Sequence, residues 1–383
     1  MAVVAFMCLL SMTTMATTPP TTTRLNNNRP VINSSLSSFS YSYNPAFVPL
    51  PPSPTPCPNV LGSPYGLLVR VQDTQPHSSS PYDVGPSSIV YARATCESNN
   101  GINPAFSRLS QEQVVLSPDP TTSPLGTEDP RVAYHHDSGQ YFILYTAVMP
   151  KAGGGASAHL ALATVSFPPP WTSKDLVHVS PNLFPSLVWS KSGALLVPDH
   201  DRSAFVLLFG DSTLVDGLQS AVSNDGIHFD LNTTVWLPTR PPPAFDSALV
   251  EAGPPPLPLS DGSLLFFYNA ASAGHPSPKP GYDYLYAPGW VVLDPKDPTR
   301  ILQRSSTPLM VPSEPWEKGV LPHEALTPNV IFVEGAAPAP GLKDTFIVWY
   351  GAADSDVGMA QVRFVQDPSS ASGEWIQAPH PVA

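Results

Sequence analysis

Positive charge is scarce in this sequence. Only 18 lysines and arginines stand against 30 aspartates and glutamates in 383 residues, which gives a formal net charge of −12. Proteins that bind nucleic acid need a basic surface against the phosphates, so this balance excludes a nucleic-acid partner from the interpretation. Charged residues make up only 13% of the chain, which fits a surface rich in Ser, Thr and Pro. The net negative charge is therefore interpreted as that of an ordinary polar surface with few lysines.

Cysteine is also rare, because the chain contains only Cys8, Cys57 and Cys96. No two of them have the C-x-x-C spacing of a structural zinc site, so the sequence predicts no metal and no other cofactor. If Cys8 leaves with a cleaved leader, Cys57 and Cys96 remain as an even pair that could form one disulfide.

A long apolar run is missing, since residues 2–12 form an apolar stretch too short to span a bilayer. Small residues follow near Ala16, and a polar tract comes next. This pattern is typical of a secretory signal peptide, although a leader without a targeting role is the alternative. We predict that residues 1–40 are a signal peptide and disordered Ser/Thr/Asn-rich leader, that the protein is secreted or lies in the endomembrane lumen, and that it has no membrane contact after cleavage. The N-x-Ser/Thr sequons at Asn33 and Asn232 fit that glycoprotein route.

Sustained helical periodicity is absent as well. The 50 prolines oppose long helices, because proline inside a helix removes a hydrogen-bond donor and clashes with the preceding turn. A proline-rich chain can be disordered, but here 42% of the residues are hydrophobic and 36 are aromatic, as 7 Trp, 13 Tyr and 16 Phe. We therefore expect a folded, proline-rich β protein.

What the sequence does contain is a recurring short apolar strand that ends in a polar tail. Five such segments occur, at residues 67–70, 141–147, 205–212, 264–270 and 346–354. Each is β-branched or aromatic and is bounded by turn residues, which is typical of strands, and repetition at a long period is typical of propeller blades. The pattern predicts an all-β fold, a five-bladed β-propeller over residues 41–370, with residues 371–383 as a C-terminal tail.

The segment Glu128-Asp129-Pro130-Arg131 lies directly before one of these strands. Two adjacent carboxyl groups and an arginine are suited to proton transfer, because neighbouring charges shift carboxyl pKa values. The same residues would also suit a structural ion-pair cluster at a blade turn. The residues alone leave both interpretations open.

Several motifs together resemble a known family. In chain order they are residues 128–131 (EDPR), 253–256 (GPPP), 292–299 (VLDPKDPT), 327–332 (TPNVIF) and 350–354 (YGAAD). With these motifs the chain resembles glycoside hydrolase family 130, the five-bladed propellers that act on β-mannosides, over residues 41–365. The resemblance implies an oligosaccharide substrate that is cleaved with inversion by either phosphate or water.

The resemblance also implies roles for single residues. Asp129 matches the family's proton donor, and we expect Glu128 or partial burial to raise the pKa of Asp129 so that it holds a proton. Asn44 and Arg70 match sugar-contacting positions, where paired donors suit neighbouring hydroxyls. Asp354 matches an acidic residue near the reacting sugar, or else it closes a turn after the last repeat strand.

The chain departs from the phosphorylases where they bind phosphate. Leu249 stands at a lysine position, Asp211 follows a strand that ends in basic residues in the family, and Asn269 stands at a histidine position. Phosphate binding needs cations or oriented N–H donors, so this pattern favours hydrolysis, which needs a second carboxylate to activate water. Glu251 is the first candidate for this base and Glu324 is the reserve.

Seven further candidates for sugar binding include three acids already named for other reasons: Glu128, Arg131, Asp211, Asp246, Tyr286, His323 and Glu324. Tyr286 matches a position that lines the family's pocket, although an aromatic residue in a β-rich chain is more often in the core. The resulting hypothesis is an inverting β-mannosidase with Asp129 as acid. The alternatives are a β-mannoside phosphorylase with an altered phosphate site and an inactive propeller that binds glycans or a protein. The sequence leaves the oligomeric state open.

Overall fold

The computed structural model covers most of the chain. It describes residues 19–52, 57, 59–75, 83–98, 104–151, 153–200, 202–279, 281–320 and 325–364, without the side chains of 96–98, 104 and 105. The core of the predicted signal peptide, the predicted C-terminal tail, and both His323 and Glu324 lie outside the described residues.

The described chain consists of strands in five antiparallel sheets, with three short 3-10 helices at Asn26–Asn28, Ser34–Leu36 and Gln111–Gln113. It begins with β1 (Thr21–Arg24). Blade 1 contains β2 (Tyr41–Pro49), β3 (Tyr65–Gln72), β4 (Ser88–Ser98), β5 (Pro104–Phe106) and β6 (Val114–Leu116). Blade 2 contains β7 (Gly126–His135), β8 (Gln140–Pro150), β9 (Ala156–Val165) and β10 (Val177–Ser180).

The remaining strands form three more blades. Blade 3 contains β11 (Gly193–Leu196), β12 (Phe205–Phe209), β13 (Gly217–Ser223) and β14 (Asp230–Pro238). Blade 4 contains β15 (Leu249–Ala252), β16 (Leu257–Pro258), β17 (Leu264–Ala273), β18 (Tyr284–Tyr286), β19 (Gly289–Leu293) and β20 (Ile301–Arg304). Blade 5 contains β21 (Ile331–Pro338), β22 (Thr345–Ala352) and β23 (Asp356–Arg363), joined by β1. The predicted all-β, five-bladed propeller is confirmed.

The core lies between neighbouring blades. Each of five apolar clusters takes its buried side chains from two adjacent sheets, including the pair formed by blades 5 and 1. Tyr65 of blade 1 and Trp349 of blade 5, for example, pack with ring centroids 5.1 Å apart. Sheets that are apolar on both faces must be covered on both sides, and a closed ring of blades does this while it leaves only short edges.

The N-terminal strand closes the ring. Strand β1 pairs antiparallel with β23, from Thr21 opposite Arg363 to Arg24 opposite Ala360, and the buried Val31 and Ile32 then pack into the core between blades 5 and 1. The propeller therefore begins before residue 41, and the predicted disordered leader is wrong for residues 19–40. The sequence hid this strand because its four polar residues have no apolar alternation and depend on a partner strand.

Three innermost strands contain a bulge near the same end of the ring. The pairing register shifts between Tyr43 and Pro45 in β2, between Glu128 and Arg131 in β7, and between Val333 and Gly335 in β21. A bulge takes a residue out of the ladder and redirects its side chain, often beside an active site. The residues redirected here include Asn44, Asp129 and Glu334.

Two of these bulges share a local conformation. Asn44 and Asp129 have φ angles of 49° and 50°, in the left-handed region, and a proline follows each. Asn and Asp tolerate this region better than other residues with a Cβ. The Asn-Pro and Asp-Pro dipeptides thus give blades 1 and 2 matching turns of the backbone at the axis.

Candidate active site

Asp129 lies at the centre of a buried polar cluster and is 3% exposed. Its Oδ1 accepts hydrogen bonds from Asn44 Nδ2 and Arg70 Nη1, both at 2.8 Å. Arg70 also donates to Glu128 Oε1 at 2.5 Å, and its guanidinium lies 4.9 Å from the centre of the Tyr43 ring. The structure therefore brings together four of the residues that the sequence singled out.

The charge state of Asp129 differs from the expectation. Burial acts to raise the pKa of Asp129, but the cations of Arg70, Lys191 and Arg131 outweigh burial and hold the pKa well below its usual range. The expectation of a protonated Asp129 is therefore wrong for the ligand-free protein, because it counted the neighbouring carboxylate and not the cations. Burial does raise the pKa of Glu128, against the opposing charge of Arg70.

Lys191 is a site residue that sequence reasoning missed. Its Nζ lies 2.9 Å from Glu251 Oε1 and 3.5 Å from Asp129 Oδ2. Burial acts to lower the pKa of Lys191, but Glu251 and Asp129 outweigh it and raise this pKa. The only sequence signal was a lysine in the segment Trp189-Ser190-Lys191-Ser192, directly before the first strand of blade 3.

Glu251, the candidate base, lies on β15 and is 3% exposed. Its Oε1 accepts a hydrogen bond from Ser192 Oγ as well as the contact from Lys191. Burial raises the pKa of Glu251, with Asp211 and Asp129 acting in the same direction and Lys191 opposing them. A carboxylate with a raised pKa is a better proton acceptor near neutral pH.

Asp211 is beside Glu251, because the two residues form an isolated antiparallel bridge. Its side chain is occupied by the protein: Oδ1 accepts from Trp189 Nε1 and Thr213 N, both at 3.0 Å, and Oδ2 accepts from Thr213 Oγ1 at 2.7 Å. Asp211 therefore holds Trp189 at the site and adds negative charge there. The sequence indicated the acidity of this position but not the indole.

Asp354 and Tyr286 interact electrostatically with the charged groups of the cluster. Burial raises the pKa of Asp354, opposed by a hydrogen bond from Thr327 and the charge of Arg70. Burial also raises the pKa of Tyr286, and the charges of Glu251 and Asp354 add to the shift. The Tyr286 hydroxyl accepts a hydrogen bond from Tyr282 Oη at 3.0 Å, so the segment before β18 contributes a second tyrosine beside Tyr286.

Arg131 does not face a substrate, because it is 0% exposed. Its guanidinium donates to the carbonyl oxygens of Asp129 at 2.7 Å, Ala252 at 2.6 Å and Gly253 at 3.4 Å, and its Nη1 lies 2.9 Å from Glu334 Oε1. The prediction of a sugar-binding arginine is wrong. The motif revealed the charge of this residue but not that its side chain points under the site.

Asp246 is also apart from the cluster. It is 0% exposed, and its carboxylate accepts from Arg240 Nε at 2.7 Å, Arg304 Nη2 at 2.6 Å and Tyr268 Oη at 2.8 Å. These hydrogen bonds occupy the Asp246 carboxylate, and their donors lie in blade 4 and in the segment directly before it. The prediction of a substrate contact is wrong here, because nothing in the sequence indicated the two arginine partners.

The remaining predictions concern two loop residues, the disulfide, a metal site and membrane contact. His323 and Glu324 lie outside the described residues, so their proposed roles stay predictions. Cys57 is disulfide-bonded, but the side chain of Cys96 is not described. Among the described residues, no group of three or more His, Cys, Asp or Glu could hold a metal, and no helix is long and apolar enough to cross a membrane.

Comparison with known proteins gives a consistent result. The family model described as β-1,4-mannooligosaccharide phosphorylase, of glycoside hydrolase family 130, matches residues 88–366. A 1,2-β-oligomannan phosphorylase from a Thermoanaerobacter species is 29% identical over 302 residues, which are 77% of this chain and 84% of that protein.

Two solved structures show the same fold. One, from a study of family 130 hydrolases that target β-1,2-mannosidic linkages in Candida mannan, has a TM-score of 0.65 and 23% identity, and the match covers 90% of this chain and 94% of that one. The Listeria innocua β-1,2-mannobiose phosphorylase has a TM-score of 0.62 and 20% identity, covering 84% and 89%. The family match extends over most of the propeller and includes the strands that hold Asp129 and Glu251, and this chain therefore belongs to glycoside hydrolase family 130.

Proposed function

We propose that the protein hydrolyses β-mannosides with inversion, with Asp129 as general acid and Glu251 as general base. The observation that carries this proposal is the position of Lys191 between the two carboxylates, 3.5 Å from one and 2.9 Å from the other. Their nearest oxygens are therefore no further apart than the sum of those distances. That upper bound is below the ~6.5–9.5 Å carboxyl separation of inverting glycosidases, so the inverting outcome in the proposal comes from the family resemblance, and the distance supports only that the two carboxylates share one site. Both groups can then act on one sugar ring.

The proposed reaction uses one water molecule. Glu251 takes a proton from the water, whose oxygen forms a bond to the anomeric carbon. The bond between that carbon and the glycosidic oxygen breaks, and Asp129 gives its proton to the departing oxygen. The products are a free mannose of inverted configuration and the shortened chain.

Asp129 must gain a proton for this step. In the free protein Asn44 and Arg70 both donate to its Oδ1. In the proposal, sugar hydroxyls compete for these donors and exclude water, and each change weakens the stabilisation of the carboxylate and raises the pKa of Asp129. The same two residues thereby bind the sugar and control the acid.

Water is favoured over phosphate by the charges around Glu251. Asp211 and Glu251 are buried acids beside each other, and Lys191 is already paired with Glu251. Leu249 offers no charge where the phosphorylases have a lysine. Each lost charge-assisted contact removes roughly 1.5–3 kcal/mol of anion binding, and the acids add repulsion.

Phosphorolysis is the second candidate, and Lys191 is the observation in its favour. Its ammonium is a cation within the site, and a charged amine can bind phosphate as a point charge. The 1,2-β-oligomannan phosphorylase relative adds weight to this candidate. For phosphate to bind at Lys191, the ammonium would have to leave Glu251.

The test is cleavage of a panel of β-1,2- and β-1,4-linked mannooligosaccharides with and without phosphate, with the products and their anomers followed by NMR. The proposal expects free α-mannose at a rate that does not depend on phosphate. Mannose 1-phosphate formed in proportion to added phosphate would establish phosphorolysis instead. Binding of the sugars without cleavage under either condition would leave a glycan-binding propeller.

We further propose that the protein works in an oxidising compartment, either outside the cell or in the endomembrane lumen. Cys57 is disulfide-bonded, and disulfides persist in such compartments. The sequon residue Asn232 is exposed on β14 and accessible to glycosylation. Digestion of protein from its native host with an N-glycosidase should lower its apparent mass, and an unchanged mass together with an intact leader would contradict this localisation.

A further inference from the structure

Beneath the Asp129 cluster lies a buried carboxylate with no part in the proposed reaction. Glu334 is 1% exposed and belongs to β21. The bulge between Val333 and Gly335 takes it out of the ladder, as the bulges of β2 and β7 do for Asn44 and Asp129. Blade 5 therefore uses the same backbone feature that directs the two site residues of blades 1 and 2.

The contact that Glu334 makes is with the arginine that joins the two catalytic strands. Arg131 Nη1 donates to the carbonyl of Asp129, and Nη2 donates to the carbonyl of Ala252, the residue after Glu251. The guanidinium thus spans from the acid's own backbone to the strand of the base. Because these N–H groups are directed at carbonyl oxygens, Glu334 meets the guanidinium as an ion pair, at 2.9 Å from Nη1. Burial raises the pKa of Glu334 well above its ordinary value, and the charge of Arg131 opposes this shift and favours the carboxylate.

We infer that Glu334 is a positioning residue, which acts through Arg131 to fix the separation between Asp129 and Glu251. A buried guanidinium needs a counter-charge, and Glu334 supplies it from a third blade, so that the arginine is pulled into one place relative to both carbonyls. Rate depends steeply on such placement, since an error of about 1 Å can cost about 10²-fold. The inference rests on the proposed function.

The test compares Glu334→Gln with Glu317→Gln. Glu317 is a matched control, because it is also fully buried and paired with an arginine, Arg24, at 2.7 Å, but it belongs to the segment between blades 4 and 5 and not to the Asp129 cluster. Glu334→Gln should lower kcat by about 10- to 100-fold and leave KM within about twofold. Glu317→Gln should lower the melting temperature and leave kcat of the folded protein unchanged.

A second variant and a crystal structure test the inference further. Glu334→Asp retains the charge and should lose less kcat than Glu334→Gln, and a crystal structure of Glu334→Gln should show a changed Asp129–Glu251 separation. Wild-type kcat in Glu334→Gln would overturn the inference, and if that variant does not fold, unchanged kcat and KM in Glu334→Asp would do so. A wild-type protein that cleaves no β-mannoside would instead count against the proposed function, and the structure of the variant would still decide the positioning role.

Discussion

The behaviour of single residues in this site follows from their neighbours rather than from their type. Asp129 and Glu251 are both carboxylates that are 3% exposed. Asp129 has three cations around it, which hold its pKa low, whereas burial and two neighbouring acids raise the pKa of Glu251. Acid–base catalysis requires the opposite order, with the raised pKa on the acid, so the proposed roles depend on substrate binding to raise the pKa of Asp129.

The first prediction concerns Asp129. Asp129→Asn should lower kcat on unactivated mannooligosaccharides by roughly 10²–10⁴-fold, because an amide cannot deliver a proton. Aryl mannosides whose leaving group needs no proton should lose far less activity. Steady-state rates on both substrate types, with circular dichroism to check folding, make the measurement. Equal losses on both would remove Asp129 from the acid role.

The second prediction concerns Lys191. Its charge opposes the burial that raises the pKa of Glu251, so Lys191→Met should raise this pKa further. A base must be ionised to act, and activity should therefore be lost at a higher pH as the solution is acidified. The pH profile of kcat/KM should show its acid limb shifted upward relative to wild type. A limb that stays in place would mean that Glu251 does not set it.

At the scale of strands, the sequence predicted the blades and only part of the site. The apolar repeat strands and their turn residues identified the blades. The family resemblance identified Asn44, Arg70 and Asp129 as site residues, and the departure from the phosphate-binding pattern identified Glu251. What the sequence did not reveal was the direction of side chains at bulges and loops. Arg131 turns inward because of the bulge in β7, while Lys191 reaches the site from a loop with no pattern of its own.

The third prediction concerns strand β23. Burial raises the pKa of Asp356 at its start to about 7. Because the folded-state pKa is raised, the stability it contributes is present below the unfolded pKa near 4 and is lost as the pH rises to about 7. The loss amounts to at most about 4 kcal/mol at about 1.4 kcal/mol per pKa unit.

Asp356→Asn removes this ionisable group and should stabilise the protein above pH 7, with little change near pH 4. Urea unfolding at the two pH values measures the difference. A variant whose free energy of unfolding changes equally at both pH values would show that the buried charge is not the cause.

At the scale of the whole molecule, the ring depends on a strand that the sequence did not reveal. Strand β1 joins the beginning of the chain to β23, and Arg24 at its end pairs with the buried Glu317. Polar strands of four residues have no signal of their own, so such a closure is visible only in three dimensions. The fold was predictable from its repeats, but its closure was not.

The fourth prediction follows from this closure. Removal of residues 1–24 would leave β23 as an open sheet edge, which invites aggregation, and would leave Glu317 buried without its arginine, a change that costs about 3–5 kcal/mol. We expect a lower melting temperature and concentration-dependent aggregation compared with a chain that starts at residue 19. The same melting temperature in both chains would show that β1 does not stabilise the ring.

The central claim is that water, activated by Glu251, attacks the β-mannoside. The most direct measurement is the rate of mannose release by wild type and Glu251→Gln across a range of millimolar phosphate concentrations. The account predicts a wild-type rate that phosphate does not change, α-mannose as the first product, and a collapse of the rate in Glu251→Gln. A rate that rises with phosphate and yields mannose 1-phosphate, or a Glu251→Gln variant as fast as wild type, would contradict it.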